Sequence, residues 1–278
     1  MKKYIIAFVA FIVLILVVAL VLRGNESTDI EEQIQLTKLV DDNNENDKAK
    51  EDGIVTIANP QLLILVPNQI IEKRNYKLSY NQETKLPNWV SWHLTAEHTD
   101  GSWPRADFYE DEEAPLPRAT LDDYRHSGWT RGHMCPAGDN KWDSIAMYET
   151  FALTNICPQN EKLNNGLWNS IENDCRKWAR KYGDIYIVCG PVFMQREHET
   201  IGENQVVVPE AFFKVVLCLN GTPKGFGFIV RNTEGNRKKD LYYNSIDDIE
   251  RITQMDFFSD LPDSIEDVVE SQCNINDW

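Results

Sequence analysis

The chain has 278 residues, 42% of them hydrophobic, enough for one sizeable core or at most two small ones and too few for a large multidomain protein. Its formal net charge of −16 argues against a surface that attracts nucleic acid everywhere. The charge is uneven, however: residues 1–23 carry +3, residues 24–53 carry −7 and residues 247–278 carry −9, so the body over 54–246 carries only −3.

Lys2 and Lys3 precede a run from Tyr4 to Leu22 that has no charged side chain. A run of that length can cross a bilayer as a helix, and no small-x-small cleavage site follows it. Residues 1–22 are therefore read as an uncleaved transmembrane anchor in preference to a signal sequence, with membrane contact through residues 4–22. The two lysines favour a cytoplasmic N-terminus. The remainder is then expected on the extracytoplasmic side, or secreted if residues 1–22 are removed. Residues 23–53 are acidic and rich in Asn, Asp and Glu, which predicts a tether. A single folded domain is expected over 54–278.

Within that domain, Tyr76 to Tyr80 alternates as a strand, and Trp89 to Thr95 reads as a second strand entered through Pro87-Asn88. Arg105 to Arg118 is rich in Pro and acid and predicts a loop. Leu121 to Tyr124 predicts a turn of helix, and Trp129 to Met134 a short strand carrying His133. Asn140 to Thr150 has helical character. Leu163, Leu167, Trp168, Ile171, Cys175 and Trp178 recur at three- and four-residue steps, which predicts a long helix over Leu163 to Tyr182. Asp184 to Cys189 predicts an apolar strand ended by Gly190-Pro191. Two further strands are expected at Ala211 to Leu219 and Gly225 to Val230, then helices at Ile246 to Met255 and Ile265 to Ser271. Mixed short strands and helices point to an α+β fold.

Chemistry concentrates in Thr130-Arg131-Gly132-His133 and in Asn155-Ile156-Cys157-Pro158-Gln159, followed by Asn164 and Glu172. A His that titrates near neutrality can take a proton from water. An Asn carbonyl can hold a hard cation without cancelling its charge. An Arg fork can meet phosphate oxygens. Eight helical steps of roughly 100° place Glu172 about 80° round the axis from Asn164. Six cysteines, at 135, 157, 175, 189, 218 and 273, permit up to three disulfides, among them a bond from Cys135 to Cys157 joining the two motifs. Buried thiols in strands are the alternative for Cys189 and Cys218.

The two linked motifs resemble the signature of the sugar-nonspecific DNA/RNA endonucleases of the ββα-metal (His-Me finger) fold, with Thr130 where that family usually has Asp. Weaker similarity extends over about 54–273. The resemblance implies a mixed or antiparallel sheet and phosphodiester hydrolysis of DNA and RNA to 5′-phosphate products, with one hydrated Mg²⁺ that Mn²⁺ can replace. By the same resemblance His133 is the general base, Asn164 the metal ligand and Glu172 the holder of metal-bound water. Arg105 would stabilise transition-state charge, with Arg118 and Arg125 as alternatives. Arg131 would shape the site or touch substrate, and Thr130, Gly132, Asn155 and Gln159 would support it. DNA and RNA are the expected partners, and a homodimer is compatible with the sequence. A weakened or inactive module that binds nucleic acid or a surface partner is the first rival. A thiol hydrolase built on Cys135 is the second. A basic groove could also draw on Arg176, Lys177, Arg180 and Lys181, for which a solvated helix face is the plainer reading.

Overall fold

The structure, a computed structural model, describes residues 59–278. The expected anchor at 1–22, the tether at 23–53 and the first residues of the expected domain lie outside the described residues. In chain order the strands are β1 (Gln61–Leu62), β2 (Gln69–Glu72), β3 (Lys77–Asn81), β4 (Leu86–Thr95), β5 (Thr130–His133), β6 (Ile156–Gln159), β7 (Asp184–Val192), β8 (Thr200–Ile201), β9 (Val206–Val207), β10 (Ala211–Cys218), β11 (Lys224–Arg231), β12 (Tyr243–Asn244) and β13 (Met255–Asp256). The helices are α1 (Leu121–Tyr124), α2 (Ser144–Glu149), α3 (Glu161–Leu163), α4 (Asn169–Tyr182), α5 (Ile246–Thr253) and α6 (Asp263–Ser271). A π turn over Asn164–Trp168 joins α3 to α4.

Seven strands form one sheet in the order β12-β11-β10-β7-β4-β3-β2, antiparallel at each pairing. β4 and β7 lie side by side, Val90 opposite Cys189 and Thr95 opposite Asp184. Between them in sequence comes everything from α1 to α4, including the separate antiparallel pair of β5 and β6. A β-β-helix unit is thus inserted between two central strands and packs back on the sheet.

The sequence of β10 explains how both faces are covered. All eight of its residues are buried, and Lys214 is the one polar side chain among them, so the strand does not alternate apolar with polar residues. Phe212 meets Trp168 of the π turn at 5.6 Å, while Phe213, one step along, meets Phe257 at 5.4 Å. Burying each such side chain contributes roughly 1.5–3 kcal/mol. α5 lies close to the second face because Gly227 has no side chain: a Cβ there would stand 2.3 Å from Ile249 Cδ1.

Element boundaries depart from expectation where a local cause is visible. α2 starts at Ser144, because Asp143 accepts from the amides of Ile145 and Ala146 and so caps the helix. β7 continues through Gly190-Pro191 to Val192. β4 pairs with it only as far as Cys189, so beyond that point β7 bonds β10 alone, and a strand bonded on one side tolerates a proline. The six cysteines form no disulfide, which removes the expected link between Cys135 and Cys157. Five of the thiols are buried and Cys273 is exposed.

Candidate active site

β5 and β6 pair with Thr130 opposite Gln159, Gly132 opposite Cys157 and His133 opposite Ile156. The register brings both sequence motifs onto one two-stranded platform. Gly132 is required by close approach, since a Cβ there would lie 2.3 Å from Gln159 Oε1 and 2.6 Å from Gln159 Cβ. Gln159 is fully buried, and both its amide atoms lack a hydrogen-bond partner. Asn155 holds the chain just past His133: its Oδ1 accepts from Cys135 N, and its Nδ2 donates to Cys135 O and Thr150 O, each at 2.9 Å.

The helix is pinned to β5 at two points. Asn164 Nδ2 donates to Thr130 Oγ1 at 3.2 Å, and Trp168 Nε1 donates to His133 O at 3.3 Å. Thr130 Oγ1 in turn donates to Gln159 O at 2.7 Å. A hydroxyl can accept and donate at once, which a carboxylate cannot. With its nitrogen committed to Thr130, the Asn164 amide has its carbonyl oxygen left for another partner.

The π turn also corrects the angular position of Glu172. A turn closed by i→i+5 bonds uses one extra residue, so Glu172 stands at the equivalent of seven α-helical steps from Asn164, within about 20° of it rather than 80°. Burial raises the Glu172 carboxyl to about 7, and the nearby Asp139 charge adds to this. Lys214, Arg176 and Arg105 act in the opposite direction.

His133 is 8% exposed, lies 5.3 Å from Phe108 and 4.9 Å from Phe151 between ring centroids, and has an Nε2 without a hydrogen-bond partner. Burial first, and the Arg105 charge second, push its pKa down to about 3, so the imidazole is neutral at physiological pH. Arg105 is exposed, with its guanidinium 5.0 Å from the centre of Phe151, and its charge bears on both His133 and Glu172. Arg131 lies 4.4 Å over Phe108. Arg105, Arg125 and Arg131 line a cleft of about 570 Å³ together with Phe108, Tyr124, Trp129 and Thr130.

Arg118 is not part of this cleft; it donates to Ala114 O at 3.2 Å and lies 3.9 Å from Glu110. The basic residues of α4 are engaged within the protein. Arg176 pairs with Asp139 at 2.6 Å, Lys177 with Asp174 at 3.0 Å, and Arg180 and Lys181 donate to the carbonyls of Thr99 and Trp278. Cys135 is fully buried and its thiol is pushed well up by burial, which removes the thiolate that the thiol-hydrolase rival needs.

Sequence reasoning missed Lys214. Its ammonium is buried without a hydrogen-bond partner, 4.8 Å from the Trp92 ring and 4.6 Å from the Trp168 ring. Burial opposes its charge, and the carboxyl groups of Glu172 and Asp139 act in the opposite direction. A lysine in the midst of Ala-Phe-Phe-Lys-Val-Val-Leu-Cys was the signal available.

The residues fit a hard divalent cation: an amide oxygen whose own nitrogen is committed to Thr130, and a half-buried carboxyl whose raised pKa a cation would lower.

The family model for DNA/RNA non-specific endonucleases matches residues 56–264. Mitochondrial nuclease EXOG of Xenopus laevis is 37% identical over 67% of this chain and 57% of its own length. Nuclease C1 of Cunninghamella echinulata var. echinulata is 34% identical over 69% of this chain and 83% of its own. Among solved structures, a crystal structure of the EndoG/EndoGI complex, which concerns EndoG inhibition, matches with a TM-score of 0.67 and 28% identity over 71% of this chain and 89% of that chain. The chain spans about half the length of the EXOG relatives, 55–59%. The frog, mouse, zebrafish and human relatives are named mitochondrial, and among the described residues no helix is long and apolar enough to cross a membrane. The relatives' mitochondrial names overturn the expected extracytoplasmic placement, while the anchor expected over 1–22 lies outside the described residues.

Proposed function

The chain belongs to the DNA/RNA non-specific endonucleases, and on that footing we propose that it is a metal-dependent endonuclease that hydrolyses phosphodiester bonds of DNA and RNA to 5′-phosphate products. The observation that carries this reading is His133. Its imidazole is neutral, with an unpartnered Nε2, and it sits beside an exposed arginine on the strand that also anchors Asn164.

His133 Nε2 takes the proton from the attacking water: the nitrogen is unpartnered, and a bound phosphate would raise its basicity from the low value that burial and Arg105 impose. Arg105 faces the phosphate and meets charge that grows on its oxygens in the transition state, where a preorganised cation contributes most. Asn164 Oδ1 would hold Mg²⁺ or Mn²⁺, and Glu172 would hold the waters bound to it. The ion would supply positive charge for the phosphate and the leaving O3′. Thr130 fixes which end of the Asn164 amide faces the ion, which gives Thr130 a positive role despite the usual Asp at that position. Arg125 and Arg131 bind the backbone phosphates of a strand in the cleft, and the half-buried Trp129 offers a face on which a base stacks without sequence preference.

The test incubates the full-length protein with plasmid DNA and with RNA, in Mg²⁺ or in EDTA, beside His133→Ala and Asn164→Ala. Degradation of both substrates in Mg²⁺ alone, lost in both variants, is the expected outcome. Full activity in His133→Ala would sink the mechanism.

A further inference from the structure

On the sheet face that α5 and α6 cover, three carboxylates converge. Asp247 and Glu250 are one turn apart on α5, and Glu270 ends α6. One carboxylate oxygen from each lies within 4.8 Å of one from each of the others. That is the spacing of oxygens around a single cation with bonds of about 2.4 Å.

The cluster is not a solvated acidic patch. Glu270 is 7% exposed, and its Oε1 is buried without a hydrogen-bond partner. Its place in the last turn of α6 puts a negative group at the negative end of a helix, and no basic side chain stands in that turn. Burial first, and then the charges of Glu250, Glu266, Asp247 and Asp256, raise its carboxyl to about 9. Arg251, the basic residue of α5, is paired with Asp248 at 2.7 Å. Glu250 is held in place by the amide of Phe257, which donates to its Oε1 at 2.7 Å.

We propose that Asp247, Glu250 and Glu270 form a second cation site, filled by Ca²⁺, which ties α5 to α6. Three carboxylates from two helices make an irregular, charge-rich oxygen cage. Ca²⁺ accepts such a cage readily, whereas Mg²⁺ demands near-octahedral geometry and retains its waters. One ligand is exposed, one half-buried and one buried, so an ion can enter from solvent. The ion offsets the mutual repulsion of the carboxylates and partners the orphaned oxygen of Glu270.

The test uses thermal unfolding and calorimetric Ca²⁺ titration of the full-length protein carrying Asn164→Ala, which removes the metal ligand of the candidate active site. Expected is one Ca²⁺ per chain with an affinity of about 10⁻⁴ M, and a melting temperature raised by about 3–6 °C at ten times that concentration. Equal concentrations of Mg²⁺ are expected to give a smaller rise. In Glu270→Gln and Glu250→Gln the Ca²⁺ response should disappear, while melting in EDTA stays equal or moves higher because an uncharged amide replaces an acid among acids. A Ca²⁺ response that survives both substitutions overturns the site. Stabilisation by acid with no response to Ca²⁺ also overturns it, assigning the cluster to shared protons.

Discussion

At residue 130 a hydroxyl stands where the resembling motif has an acid, and it makes two hydrogen bonds. Thr130 accepts from Asn164 Nδ2 and donates to Gln159 O. Thr130→Val keeps the shape and loses both bonds, so the Asn164 amide is free to turn. Metal affinity should fall about 10–100-fold, the usual effect of losing an orienting partner, and Thr130→Ser should restore it. Mg²⁺ dependence of cleavage rate measures both; unchanged dependence in the Val variant would remove Thr130 from the site. His133→Ala should lower the rate about 10²–10⁴-fold, the range of general base catalysis, with circular dichroism unchanged. Both residues could be found from motif spacing alone. Lys214 and the unpartnered amide of Gln159 could not, because their significance lies in what the sheet brings against them.

At the scale of elements, the long helix was readable over Leu163 to Tyr182 from its apolar repeat, but the π turn within it was not. Leu163, Leu167, Trp168 and Ile171 satisfy three- and four-residue spacing whether or not one turn is widened, so the periodicity carries no trace of the extra residue. The widened turn nevertheless decides which face Asn164 and Glu172 share. Deleting the exposed Asn165 should close the turn to α geometry and rotate Asn164 by about 100° relative to Glu172. Cleavage should then be lost although helix content and the packing of Trp168 against Phe212 persist. An active deletion variant would show that the two residues need no common face. The β5–β6 pair was only half legible: the motif fixed β5, whereas Ile-Cys-Pro-Gln contains a proline and carries no strand signal of its own. Its pairing depends on Gly132 and Gln159 fitting together.

For the whole molecule, the charge arithmetic located the acid but not its consequence. The excess over residues 247–278 was plain in the sequence, yet only the packing of α5 on α6 turns Glu250 and Glu270 into neighbours. That packing sets the pH dependence of stability. Glu270 has a folded-state pKa of about 9 and Glu250 of about 7, both above the ordinary carboxylate value, so across those intervals the folded state binds more protons than the unfolded state. The stability they contribute is present in full below about pH 4.5 and is lost as pH rises, through about 7 for Glu250 and about 9 for Glu270. His133 acts in the opposite sense. Its folded-state pKa of about 3 lies below the ordinary 6.5, so the unfolded state binds the extra proton and stability falls as pH drops below about 6.5 toward 3. Without Ca²⁺ these groups together place the stability maximum near about pH 4.5, with His133 setting the decline below it and Glu270, joined by Glu250 and Glu172, the decline above it. Glu270→Gln should flatten the alkaline decline, adding at least about 1 kcal/mol at pH 8, a rise of roughly 2–4 °C in melting temperature. His133→Ala should flatten the acid decline and leave the alkaline one intact. Chemical denaturation across this pH range measures both limbs, and an alkaline decline unaltered by Glu270→Gln would show that the α5–α6 carboxylates do not set it.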